Sequence, residues 1–182
     1  MKFSNGLLAI LLTSGVLMTG CAIGDDDDDK RRGGSLDVAP VTDVAYGEEC
    51  ADCHMAYQPG FLPARSWQKM MGSLDDHFGE NAELESDVQQ RLTQYLTENA
   101  ADNSNYKRSR GMMKSLSYDE TPLRITETRY FIRKHDELPR RVVEDNPEVV
   151  SFSRCEVCHT QADKGSYDEH QVTIPGFGKW DD

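Results

Sequence analysis

Two short stretches carry residues whose types and spacing can do chemistry: "CADCH" at residues 50–54 and "CEVCH" at residues 155–159. In each, two cysteines stand three apart and a histidine follows the second directly. A CxxC pair serves three common purposes: a redox disulfide, half of a zinc site, or thioether attachment of a haem. A thioredoxin-like disulfide needs a βαβ setting, and no apolar strand run flanks either motif. A zinc ribbon needs its second CxxC roughly 15–20 residues on, whereas about a hundred residues intervene here. The adjacent histidine selects the third use. The two thiols add across the haem vinyl groups, and the neighbouring imidazole reaches the iron from the same side. The spacing therefore predicts two covalent c-type haems. One is held by Cys50, Cys53 and His54, the other by Cys155, Cys158 and His159.

Each iron then needs a partner on its other face, or an open position. Three histidines remain, His77, His135 and His170, with methionines at 55, 70, 71, 112 and 113. "FLPARSWQKMMGSL" predicts a helix that starts near a proline and closes near Gly72, with Trp67, Met70, Met71 and Leu74 at helical spacing. A polar turn, "DDHFGEN", holds His77. "SDVQQRLTQYLTEN" predicts a second helix with Ser86 as N-cap and Val88, Leu92, Tyr95 and Leu96 on one face. Haem motif, helix, ligand-bearing turn and closing helix in that order look like a small class I cytochrome c. In that fold the loop before the last helix usually supplies methionine; here it offers His77. A surface histidine is the alternative reading. Met70 and Met71 sit at helix-core spacing and read as packing.

The second half is less regular. A short helix is predicted through "ETRYFIRKHDEL", with an N-cap at Thr126 and an end at Pro139. Tyr130 and Phe131 would lie roughly on the face of His135, one turn away. An aromatic wall beside a histidine suits a haem face; a solvated charged helix is the alternative. "EDNPEVVSFSRCEVCH" predicts a further helix, capped by Asn146 with Pro147 first, that carries the second motif. His170 lies in a polar connector and reads as a surface residue rather than a ligand. Arg65 and the basic clusters "NYKRSRGMMK" and "RYFIRKHDELPRR" are candidate partners for haem propionates, or for nearby carboxylates.

The 182 residues are 37% hydrophobic and 29% charged, which is lean for a core of this size. Two buried macrocycles would account for that. A net charge of -12 argues against nucleic acid and for a basic protein partner. The N-terminus reads as an export signal: Lys2, then the short apolar run "GLLAILLTSGVLM", too short to span a membrane comfortably. Cleavage after Ala22 would release a soluble protein. Alternatively "LMTGC" resembles a bacterial lipoprotein box, with Met18 where leucine is commoner and Cys21 as the lipidated residue. Four of the five cysteines belong to the paired motifs, so the odd one favours lipidation. The acidic "GDDDDDKRRGGSL" is a solvated tether, and its "DDDDK" also resembles an enterokinase site. The expected organisation is a signal region at 1–22, a tether at 23–40, a cytochrome c-like haem 1 domain at 41–103 and a haem 2 domain at 104–182. The fold class is mainly α, with an irregular, haem-packed C-terminal domain.

Taken together, "CADCHMAYQPGFLPARSWQKMMGSLDDHFGENAEL", "RYFIRKHDELPRRV" and "CEVCHTQADKGSYDEHQVTIPG" resemble the small bacterial dihaem cytochromes c, over roughly residues 46 to 178. The resemblance implies two axial histidines at each haem, His54 with His77 and His135 with His159. It implies electron exchange with a monohaem oxygen-binding cytochrome c and with membrane b-type cytochromes, in the periplasm. The expected function is electron transport rather than catalysis, because two histidines leave iron no open site. A small dihaem enzyme, a peroxidase or oxyanion reductase with one displaceable ligand, is the alternative. A haem-based sensor ranks last, since no signalling segment is attached.

Overall fold

The computed structural model describes residues 36–180, which pack as one compact unit. The signal region, Cys21 and most of the tether lie outside the described residues. Six α-helices, several single 3-10 turns and one two-stranded hairpin make up the described chain.

The first half follows the expected order. Helix α1 (Val44–Ala51) starts at Asp43, whose carboxylate accepts the Tyr46 N–H at 2.8 Å, a side-chain cap for one of the orphan donors of a first turn. Helix α2 (Ala64–Met71) enters through Pro63, whose preset φ suits a helix start, and stops at Gly72. Helix α3 (Ser86–Glu98) buries Leu92 and Leu96 and half-buries Val88 and Tyr95, which is the predicted face. Its cap is Glu85, without a side-chain bond, so Ser86 is the first helical residue rather than the predicted N-cap. α2 and α3 enclose a core of Tyr46, Trp67, Met71, Leu74, Leu92 and Leu96. Met71 is buried in it and Met70 packs against it, as packing rather than ligation requires.

The second half departs further from expectation. Helix α4 (Lys107–Ser115) precedes α5 (Arg129–His135). α5 is capped by Thr128, whose hydroxyl accepts the Phe131 N–H at 3.2 Å, and not by Thr126. A 3-10 turn, Ile125–Glu127, occupies the place where the helix was expected to begin. The helix predicted from Asn146 does not form. The Asn146 side chain is buried and fully engaged: it donates to the Val142 and Pro175 carbonyls at 3.2 and 2.9 Å and accepts the Glu148 N–H at 3.0 Å. Those bonds hold a turn in place of a helix, the competition asparagine is known for. Val150 then adopts φ 72°, and the second motif sits on a single turn, α6 (Cys155–Cys158). The hairpin pairs β1 (Thr173–Ile174) with β2 (Gly178–Lys179).

A shared cluster of Val38, Phe61, Met112, Ala162 and Tyr167 joins the halves. Two glycines permit it. A side chain at Gly60 would come within 2.7 Å of the Ser109 hydroxyl and 2.8 Å of Val38. Gly165, at φ 79°, lies against the Val38 carbonyl, and its own carbonyl accepts the N–H groups of Asp37 and Val38 at 3.0 and 3.2 Å. Asp37 and Val38, assigned by sequence to the end of the tether, are thus part of the packed unit.

Candidate functional site

Cys50 stands at the end of α1, and the turn that follows carries Cys53 and His54. The His54 Nδ1 lies 2.7 Å from the Met55 carbonyl oxygen. A proton on Nδ1 completes that bond and leaves the Nε2 lone pair free for a metal. Facing it is His77. The two ring centres are 6.1 Å apart and their planes differ by 28°. Two imidazoles bonded through nitrogen to opposite sides of one metal, at about 2.0–2.1 Å per bond, put their ring centres about 6 Å apart. The spacing fits one iron. A tight turn presents His77: its N–H donates to the Glu80 carbonyl at 2.8 Å, and Phe78 adopts φ 60°. Arg124 lies 3.9 Å over the Phe78 ring, which meets His77 edge-on. Burial, with help from His54 and Arg124, pushes the His77 pKa down and so favours the neutral, ligating form.

The second site repeats the separation. His159, at the end of α6, and His135, at the end of α5, also have ring centres 6.1 Å apart, with planes 80° apart. His135 is tightly held: its Nδ1 is 2.9 Å from the Phe131 carbonyl oxygen, and its ring stacks on Phe131 at 3.9 Å. Phe152 closes the other edge at 6.0 Å. The predicted aromatic wall is therefore Phe131 with Phe152. Tyr130 instead faces Arg108 and Arg133. Burial lowers the pKa of both histidines, His159 to about 4, where His135 and Arg108 add to the effect. The His159 Nδ1 is buried without a protein hydrogen-bond partner, which fits a site built to hold a further group.

The cysteines favour haem attachment over the competing uses. No disulfide joins the four cysteines of the described residues. Burial pushes Cys50 up to about 11 and Cys155 up to about 12, aided by Glu49 and Glu156 respectively. An activated redox CxxC lowers its thiol pKa instead. Among the described residues no group of three or more His, Cys, Asp or Glu side chains converges as a zinc site would require.

Of the other candidates, His170 is exposed on the 3-10 turn Glu169–Gln171, and no ring contact joins it to either pair. Arg65 donates to the Glu120 and Ser117 carbonyls at 2.7 and 3.3 Å. Sequence reasoning missed Tyr57, whose ring stacks on His54 at 5.0 Å, and Tyr167, 5.2 Å from His159. It also missed Arg108 as an individual: its Nε is 3.3 Å from Asp37 Oδ1 and its Nη2 donates to the Tyr167 carbonyl at 2.5 Å. The proximity of Tyr57 to "CADCH" was the available signal. Burial raises Tyr57 to about 12, so its hydroxyl keeps its proton.

A helical fold with two CxxCH segments, each backed by a facing histidine, defines a multihaem c-type cytochrome. The sequence profile of the dihaem cytochrome c family matches residues 46–167. Solved structures agree. The diheme cytochrome type c from Shewanella baltica OS155 is 45% identical, with 75% of this chain and 96% of that one covered and a TM-score of 0.63. The diheme cytochrome c from Rhodobacter sphaeroides is 42% identical, with 73% and 100% covered and a TM-score of 0.64. Comparison with curated proteins gave no match. The chain belongs to the dihaem cytochrome c family. It carries two covalently bound c-type haems and is an electron-transfer cytochrome.

Proposed function

We propose that this protein relays single electrons in the periplasm between a membrane b-type cytochrome and a soluble monohaem c-type cytochrome. His54 and His77 would hold the iron of one haem, His159 and His135 that of the other. The observation that carries this reading is the equal separation of the two histidine pairs, 6.1 Å in each. Iron held on both faces has no open position for a substrate, and two imidazoles favour a low potential. Optical spectra of both oxidation states, with and without carbon monoxide, test it. Both haems are expected to be six-coordinate and low-spin, with carbon monoxide binding slowly or not at all. A high-spin haem that reacts quickly with peroxide or nitrite would overturn it.

Charge supports a basic partner at the haem 1 side. Residues 41–103 hold twelve acidic and three basic side chains, whereas residues 104–180 hold twelve acidic and thirteen basic. Attraction across such a face speeds encounter and weakens with salt. A lipid anchor at Cys21 would keep the protein beside its membrane donor, and a lipoprotein's several acyl chains suffice for stable attachment. Intact mass after detergent extraction tests this; a mature chain beginning at Ile23 without lipid would show ordinary secretion.

The enzyme reading draws support from one feature. His77 sits on a turn, half-buried, with no stacked platform like the one Phe131 gives His135. If either haem opens, it is the first.

A further inference from the structure

Tyr57 spans the two haem-attachment segments. Its ring lies nearly parallel to His54, with centres 5.0 Å and planes 23° apart. Its hydroxyl donates to the backbone oxygen of Ser153 at 2.6 Å, a contact between residues 96 positions apart. The Cys155 Sγ lies 3.7 Å from that same oxygen. One side chain therefore links an imidazole of the first site to the carbonyl that touches the attachment sulfur of the second. The Tyr57 backbone is itself pinned, since its carbonyl accepts the buried Tyr46 hydroxyl at 2.8 Å.

A second tyrosine crosses in the opposite direction but does not complete such a link. The Tyr167 ring is tilted 55° from His159, and its hydroxyl donates to the buried Gln58 Oε1 at 2.7 Å. Gln58 in turn donates to the Ala162 carbonyl at 2.5 Å, returning to the second half. That circuit braces the seam. The Tyr57 link, by contrast, runs from one cofactor segment to the other.

We propose that Tyr57 is the positioning residue that couples the two haems electronically, through its stack on His54 and its hydrogen bond to the Ser153 carbonyl. The proposal rests on His54 being an axial ligand. One electron passes from the reduced centre to the oxidised one, and the two exchange oxidation states. No proton or atom moves, because the Tyr57 hydroxyl keeps its proton in the bond to Ser153.

The test uses the holoprotein with both haems attached. Tyr57→Phe removes the hydrogen bond and keeps the ring; Tyr57→Leu removes both. Tyr95→Phe is the control: it deletes a hydroxyl of the same half that accepts the Thr42 N–H at 3.1 Å and does not bridge the two motifs. In half-reduced samples, magnetisation exchange between haem methyl resonances of the two oxidation states reads the internal electron-exchange rate. We expect Tyr57→Phe to slow exchange severalfold and Tyr57→Leu to slow it more, with low-spin spectra retained and the control unchanged. An unaltered rate in Tyr57→Phe, with both haems low-spin, would overturn the proposal and mean that electrons cross directly between the macrocycles. If Tyr57→Leu loses a haem, Tyr57→Phe against the control decides alone. Failure of the carrier reading is separate, because it shows in the unmutated protein as a high-spin, ligand-binding haem.

Discussion

His54 and His77 face each other across the same 6.1 Å as His135 and His159, yet the two pairs are built differently. In the first, the motif histidine is anchored, by the Met55 carbonyl, and its partner hangs from a hydrogen-bonded turn. In the second, the partner is anchored, by the Phe131 carbonyl and ring, and the motif histidine has a buried nitrogen without a protein partner. The ring planes differ by 28° in one and 80° in the other. The separation fits the same proposed role in both sites, room for one metal ion between the rings. The ring orientation answers to whatever packs beside each ring, and that differs. The second site is the more rigid on its outer face, because a helix end and an aromatic stack restrict His135 more than a turn restricts His77.

The largest effects should come from removing the proposed outer ligands. His77→Ala should open the first haem only and His135→Ala the second only, each yielding one high-spin, carbon monoxide-binding haem per chain by difference spectroscopy. Opening of both by either variant would erase the comparison. His77→Met should raise the potential of the first haem in a redox titration, since thioether sulfur favours ferrous iron relative to imidazole.

Phe131→Ala attacks the rigidity of the second site. Phe131 is half-buried, so the stability loss should be about 2 kcal/mol, below the ~3–5 kcal/mol of a fully buried phenylalanine. Perpendicular ligand planes leave the iron dπ orbitals nearer degeneracy and enlarge g anisotropy. The more anisotropic electron paramagnetic resonance signal should therefore belong to the second haem and should shift in Phe131→Ala, with the other signal unmoved. Two identical signals in the unmutated protein would contradict the difference in planes.

Smaller effects follow from the helix caps. Thr128→Ala removes the cap of α5 and should cost about 1 kcal/mol in urea denaturation. Asp43→Ala should cost a similar amount, about 1 kcal/mol, at the start of α1. Only the second cap responds to pH. The Tyr46 N–H, and after it Arg91, hold the Asp43 carboxyl below its ordinary 3.8, against an opposing effect of burial. The unfolded chain then takes up the proton first as pH falls. This contribution is present above the ordinary value and is lost as pH drops through the folded one. Asp43→Asn, still a good cap, should stay within about 0.5 kcal/mol of the unmutated protein at neutral pH and lose less stability on acidification. An unchanged acid slope in thermal denaturation would show that Asp43 does not contribute.

The chain's local patterns were enough for the covalent chemistry and for the first half. Cysteine and histidine spacing within "CADCH" and "CEVCH" names the cofactor, because thioether attachment and ligation act over a few residues of backbone. The apolar period of Leu92 and Leu96, and the proline and glycine bounding α2, also act within one helix, and those elements formed where expected. Local patterns failed where a distant group took the local one's place. Asn146 looks like a cap until Pro175, on the hairpin side, accepts its side chain and holds a turn instead. Thr126 and Thr128 are equivalent as caps on paper, and the 3-10 turn before α5 chooses between them. Which two histidines meet, how far their planes are turned, and that Tyr57 reaches Ser153 all depend on contacts between residues far apart in the chain. Only the packed seam through Val38, Phe61, Met112 and Tyr167 sets those distances, because local periodicity says which face is apolar and not what it will meet.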